Sequence, residues 1–275
     1  MTTINTTFTL NNGVEMPLFG LGVFKSQDGD EVINAINWAL DAGYRLIDTA
    51  AIYGNEVGVG AAIRNSGVPR DEIFVTTKVW NSAQREGRVL EAFDESLEKL
   101  GLDYVDLYLV HWPVKGKYKE TWKQLESLVK TDRVRAIGVS NFLPHHLDDL
   151  IQDAEIVPAV NQVEFHPRLQ QPELIAACRN YGILPQAWSP IMKGRVLDVP
   201  ELVEIGNQYG KSAVQVTLKW MLQRNISTIP KSVKEARIQA NSDLFDFTLT
   251  DDEIAQINQL DTGGRIGPNP DTFTF

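Results

Sequence analysis

The chain has 275 residues, 43% hydrophobic and 23% charged, an ordinary globular composition in which roughly three quarters of the unfolded surface can be buried. A formal net charge of -10 argues against a nucleic-acid partner or an anionic membrane surface, and the single cysteine, Cys178, excludes an internal disulfide and a cysteine-cluster metal site. The opening Met-Thr-Thr-Ile-Asn carries no basic segment followed by an apolar core, and no apolar run is long enough to span a bilayer, so the sequence reads as cytoplasmic.

Residues 7 to 16 alternate around Asn12-Gly13, which predicts an N-terminal β-hairpin. A regular alternation then begins. A strand over Phe19–Val23 leads into an amphipathic helix with Val32, Ile33, Ile36, Ala39 and Leu40 on one face, ending at Gly43. Leu46–Asp48 precedes a helix after Asn55, with Gly54-Asn55-Glu56 as its turn and cap. Ile73–Lys78 precedes a helix carrying Val89, Leu90, Phe93, Leu97 and Leu100, and Val105–His111 precedes Trp122–Val129. Ala136–Ser140 leads to His146–Ile151, and Ala159–Glu164 to Pro172–Tyr181. Leu184–Trp188 leads through an extra segment at Glu201–Tyr209 into Ser212–Gln223, and Ile226–Ile229 leads into Ser232–Asn241.

Eight strand-helix units without a linker or composition break predict a single domain over 1–275 with the (β/α)8 TIM-barrel fold. The doubly wound sheet is the rival. It announces itself with Gly-x-Gly-x-x-Gly after the first strand, and Gly20-Leu21-Gly22-Val23-Phe24-Lys25 lacks the third glycine. Thr250 and Glu253 form a capping box, and the Gly/Pro-rich tail from Gly263 to Phe275 is expected to lie as a loop over the active-site face.

In a parallel barrel the site lies at the carboxyl ends of the strands. Three consecutive barrel strands end there in an ionisable residue: Asp48, with Tyr53 just beyond, Lys78, and His111. Singly, each has an ordinary explanation: a turn cap, a packed ring, a solvated strand end, a structural histidine. Jointly they suit proton transfer to a carbonyl oxygen. Lys78 is expected to lower the pKa of the Tyr53 phenol, Asp48 to keep Lys78 charged and in place, and His111 to orient the substrate oxygen. One histidine and one aspartate are too few for a catalytic zinc, and no nucleophile stands beside a base. A hydride donor is the missing half.

At this point the chain resembles the aldo-keto reductases, particularly the compact prokaryotic type similar to 2,5-diketo-gluconate and methylglyoxal reductases. The resemblance rests on Gly20-Leu21-Gly22, Asp48-Thr49-Ala50, Tyr53-Gly54-Asn55-Glu56, Lys78-Val79-Trp80, Gly101 to Leu107, His111-Trp112-Pro113, Gly138 to Phe142, Asn161-Gln162 and Ile229-Pro230-Lys231-Ser232. It implies NADPH bound across the barrel mouth, with Asp48, Tyr53, Lys78 and His111 as the catalytic tetrad and Tyr53 as general acid. It further implies that Ser140, Asn141 and Gln162 meet the nicotinamide carboxamide and that Trp188 stacks on its ring. Lys231, Ser232 and Arg237 match the positions that grip the 2′-phosphate, and Ser189, Val233 and Asn241 complete the implied cofactor set. Where many members carry Glu before that Asn, this chain has Ala240, which removes a contact at the adenine end.

Read from the residues, Ser232 to Glu235 is a capping box, placing Lys231 and Ser232 at a helix N-terminus suited to a phosphate. Phe24, Trp80 and Trp112, with His111, are expected to wall a pocket for small or aromatic carbonyl compounds, and the chain to act as a monomer. Two other functions stand against this one. A nucleotide-sensing subunit would keep the cofactor site without needing an intact tetrad. A phosphate-binding barrel isomerase would need Gly-rich loops that Trp188-Ser189-Pro190 and Ile229-Pro230-Lys231 do not supply.

Overall fold

The structure is a computed structural model that describes residues 3–275. β1 (Thr7–Thr9) and β2 (Glu15–Pro17) pair antiparallel with Phe8 opposite Met16, forming the hairpin predicted around Asn12-Gly13. Its turn closes the foot of the barrel. Asn11 Nδ2 donates to the Pro158 carbonyl at 3.0 Å and Asn12 Nδ2 to that of Arg135 at 2.9 Å, both near the amino ends of barrel strands.

Eight parallel strands follow: β3 (Leu21–Gly22), β4 (Leu46–Asp48), β5 (Phe74–Val79), β6 (Val105–Val110), β7 (Val134–Ser140), β8 (Val160–Glu164), β9 (Leu184–Trp188) and β10 (Ser227–Thr228). Sheet order equals chain order. β5 and β6 are buried along their whole length, because both faces of a parallel strand are covered, which is why they read as near-continuous apolar runs. The last strand meets the first. Phe19 bridges to Thr228, Gly20 N donates to the Thr228 carbonyl at 3.0 Å, and Thr228 N donates to that of Leu18 at 2.9 Å. A Cβ at Gly22 would lie 2.9 Å from the Ile229 carbonyl oxygen, so this glycine serves barrel closure and not a phosphate-binding turn.

The eight predicted helices are present as α1 (Asp30–Asp41), α2 (Glu56–Asn65), α4 (Val89–Leu100), α5 (Tyr118–Val129), α6 (Pro144–Ile151), α7 (Pro172–Asn180), α9 (Ala213–Gln223) and α10 (Glu235–Ser242). The extra segment is α8 (Pro200–Tyr209), and the Thr250 capping box opens α11 (Asp251–Asn258). One helix, α3 (Asn81–Glu86), was not predicted: six mostly polar residues show no period. α4 buries Val89, Phe93, Leu97 and Leu100 against the sheet and leaves Leu90 exposed, a spacing of four, four and three that gives one apolar stripe. Each such buried side chain contributes about 1.5–3 kcal/mol.

The predicted capping box at Ser232 is absent. α10 starts at Glu235, and the Ser232 hydroxyl instead accepts from Lys234 N at 3.1 Å, a local turn competing with the helical cap. A box that the sequence reading overlooked, Ser212 with Gln215, opens α9. Among the described residues, no helix is long and apolar enough to cross a membrane.

Candidate active site

The strand ends converge as the alternation requires. Lys78 is fully buried near the top of β5, and its ammonium reaches Asp48 Oδ1 at 2.6 Å, the Thr49 carbonyl at 2.8 Å and the Tyr53 hydroxyl at 3.5 Å, which engages all three N–H donors. Tyr53 ends a 3₁₀ turn, Ala51–Tyr53, that follows β4 and brings the ring over the bore. His111 follows β6 and meets Tyr53 edge to face at 5.7 Å between centroids.

The second oxygen of Asp48 has a partner that no local pattern announces. Gln162 Nε2, on β8, donates to Asp48 Oδ2 at 2.6 Å, across the barrel from β4. Burial pushes the Asp48 carboxyl up and the Lys78 amine down, and the ion pair between them opposes both shifts. Burial, then the Asp48 charge, holds the Tyr53 phenol well above its usual range. Burial, then the Lys78 charge, holds His111 well below its own. Lys78 alone would lower the Tyr53 pKa, but the net shift is upward: burial and the Asp48 charge outweigh the ammonium and keep the phenol protonated.

Asn55 departs from its expected role. It occupies the N-cap position of α2 without a capping bond, and its side chain accepts from Thr49 Oγ1 at 2.7 Å while donating to the Val23 and Ser26 carbonyls at 3.0 and 3.1 Å. It thus ties the turn that carries Phe24 to the residue whose carbonyl holds Lys78.

Aromatic rings surround the mouth. Trp80 packs edge to face on His111 at 5.1 Å and Phe24 packs on Tyr53 at 4.9 Å. The tail completes the wall: Phe275 stacks on Trp80 at 5.8 Å with the planes 1° apart, and Phe273 packs on Trp112 at 5.0 Å. Asn81 and Arg85 donate to the Phe275 carbonyl oxygen at 3.2 and 2.7 Å. Further along the tail, His145 Nε2 lies 3.0 Å from Asp271 Oδ1. At its base, buried Glu164 accepts from Ile266 N at 2.6 Å and from Gly267 N at 3.1 Å. The chain runs so close there that a side chain on Gly267 would collide with the Trp188 ring.

On the other side of the mouth, Ser140 ends β7 and Asn141 follows it, Gln162 sits on β8, and Trp188 ends β9 with Ser189 just after. Asn141 Nδ2 donates to the His111 carbonyl at 2.9 Å and Asn141 Oδ1 accepts from Trp188 Nε1 at 2.8 Å, so one left-handed asparagine (φ 64°) joins the two halves. Lys231, Ser232 and Val233 follow β10, Arg237 is exposed on α10, and Asn241 is buried on the same helix. Burial lowers the Lys231 amine, with Glu31 opposing.

A model of the Aldo/keto reductase family matches residues 18–262. The chain belongs to the aldo/keto reductase family. Among its curated relatives, the glyoxal reductase of Bacillus subtilis is 54% identical over 100% of this chain and 99% of its own. The methylglyoxal reductase DkgA of Escherichia coli is 45% identical, covering 98% of each chain. Among solved structures, an aldo-keto reductase of Bombyx mori in complex with NADP superposes with a TM-score of 0.90 at 38% identity, over 98% of this chain and 97% of that one.

In this aldo-keto reductase the sequence reading overlooked several residues of the site. Phe273 and Phe275 had no signal beyond being aromatic in a Gly/Pro-rich tail. Gln186 and Ser227 did carry one: each is polar within a strand that is buried along nearly all of its length.

Proposed function

We propose that the protein reduces aldehydes and ketones to alcohols with NADPH, acting on small carbonyl compounds such as 2-oxoaldehydes. The carrying observation is the convergence of Lys78, Asp48, Tyr53 and His111 on one point at the mouth, inside a ring of aromatic side chains. Similarity to a glyoxal reductase and a methylglyoxal reductase supports the substrate class, and the silkworm relative bound to NADP supports the cofactor.

The residues present fit that cofactor. Both N–H groups of Gln162 are engaged inside the barrel, so its Oε1 is left as an acceptor for a carboxamide. Lys231 is a partly buried cation whose charge burial disfavours, a cost that an incoming phosphate would offset. Between these ends, Ser140, Asn141, Trp188, Ser189, Ser232, Val233, Arg237 and Asn241 are the residues that would meet the bound cofactor. When bound, NADPH supplies the hydride that reaches the carbonyl carbon.

The chain's own groups handle the oxygen. His111, kept neutral, donates a hydrogen bond to the carbonyl oxygen and orients it. Tyr53 gives its phenolic proton to that oxygen as negative charge develops on it. Lys78, 3.5 Å away, stabilises the phenolate left behind, and Asp48 holds Lys78 in position. A phenol is protonated at neutral pH even at its ordinary value, so the donor is loaded in the resting site, and the ammonium becomes useful when the proton leaves. Phe24, Trp80 and Trp112 exclude water and select by shape.

Replacing Tyr53 by Phe is expected to reduce methylglyoxal-dependent NADPH oxidation by on the order of 100-fold or more, while NADPH binding by fluorescence titration stays near wild type. Wild-type turnover in that variant would remove Tyr53 from the acid role.

A further inference from the structure

Gln186 is fully buried in β9 and has no part in the reaction as described. Register places Gln162 beside Gln186 and Gln186 beside Ser227, and side chains at paired positions of parallel strands point to the same face. The three amide and hydroxyl groups form a chain. Gln162 Nε2 donates to Gln186 Oε1 at 2.7 Å, and Gln186 Nε2 donates to Ser227 Oγ at 3.1 Å.

The polarity of this chain is dictated at its head. An ionised carboxylate only accepts, so the nitrogen of Gln162 must face Asp48 Oδ2. That uses one of its two hydrogens. The second, left without a partner, could be offered to a ligand by a rotation of the whole planar amide, which would let Gln162 act at the mouth as donor or acceptor. Gln186 Oε1 accepts it instead, and the Ser227 hydroxyl, which can accept as well as donate, takes the bond from Gln186 Nε2 that this orientation leaves.

We propose that Gln186 is a positioning residue that sets selectivity for the head group of the cofactor. By engaging the second N–H of Gln162, it leaves Gln162 facing the mouth as an acceptor only. The site then favours a nicotinamide, whose amide has an N–H to give, over a head group that offers a ketone oxygen alone. This inference rests on the proposed reading that the NADPH carboxamide meets Gln162.

The test titrates intrinsic tryptophan fluorescence with NADP+ and with its 3-acetylpyridine analogue, which has a ketone in place of the amide. One neutral hydrogen bond corresponds to roughly a 5- to 10-fold preference, so wild type is expected to bind NADP+ tighter by about that factor. In Gln186→Met the freed N–H can serve the ketone, and the ratio is expected to fall to within about twofold of unity. Gln186→Leu, equally without an acceptor, repeats the test with a different shape. Gln186→Glu, protonated when buried, keeps the same acceptor and donor and is expected to restore the wild-type ratio. General destabilisation would weaken both ligands alike and leave the ratio unmoved. A wild-type ratio in both Met and Leu variants overturns the role of Gln186. Equal binding of the two ligands by wild type instead overturns the contact between Gln162 and the carboxamide on which the inference rests.

Discussion

The Asp48–Lys78 pair shows how far individual residues can be read. A carboxylate closing an apolar strand must find a counter-charge, and the neighbouring strand supplied one at the matching end, so the pairing was legible in the sequence. Gln162 was not, because a partner across the bore depends on the barrel closing, which no spacing encodes. The net direction of the Tyr53 shift was not legible for a related reason: the sequence shows a cation near a phenol, while the sign is decided by burial and by the anion beside that cation. The pair should behave as a unit. Lys78→Met alone leaves a buried carboxylate unpaired and is expected to cost about 3–5 kcal/mol in urea unfolding. Adding Asp48→Asn to Lys78→Met removes the stranded charge and should recover more than half of that loss. If the double variant is less stable than Lys78→Met, desolvation does not dominate this site.

At the scale of elements, strands and helices with strong periods were placed correctly, and the misplacements fall at their ends. α10 begins three residues later than its Ser232 signal, because a serine hydroxyl can satisfy a turn as readily as a helix. Asn55 stands where a cap belongs but bonds backward to Val23 and Ser26. The tail from Gly263 to Phe275 has no period at all, and its path is fixed by a carboxylate on β8. Burial raises the Glu164 carboxyl, yet the bonds from His166, Ile266 and Gly267 outweigh this and hold it below its usual range. Glu164→Gln should therefore loosen the tail. Losing a charge-assisted bond of about 1.5–3 kcal/mol raises the detached population roughly 10- to 100-fold. Trypsin cleavage after the half-buried Arg265, followed by mass spectrometry, is expected to quicken by at least roughly tenfold. An unchanged cleavage rate would mean that the aromatic stack of Phe275 on Trp80 holds the tail without Glu164.

For the whole molecule, the barrel was legible as a repeat, whereas its closure rests on β3 and β10, two residues each, whose pairing depends on shape more than on pattern. A fold closed this way buries groups from distant segments, and the consequence is a pH dependence that no single element explains. His146 lies in the first turn of α6 beside the tail, with Asp271 3.5 Å from its Nε2, and its Nδ1 accepts from Leu143 N at 3.1 Å. Burial first, then the neighbouring His145, bring its pKa down to about 4 against the pull of Asp271 and Asp149. In the unfolded chain a histidine titrates near ~6.5. Between these values the unfolded state binds the proton and the folded state does not, so stability present above about pH 6.5 is lost as pH falls toward 4. His111, held low by burial and by Lys78, acts in the same direction. His146→Gln keeps an acceptor for Leu143 N but cannot take up the proton. Urea unfolding at a series of pH values from 7 to 4.5 should show that variant taking up close to one proton fewer than wild type on unfolding at about pH 5. Parallel pH profiles for the two proteins would show that His146 titrates in the folded state as it does in the unfolded one.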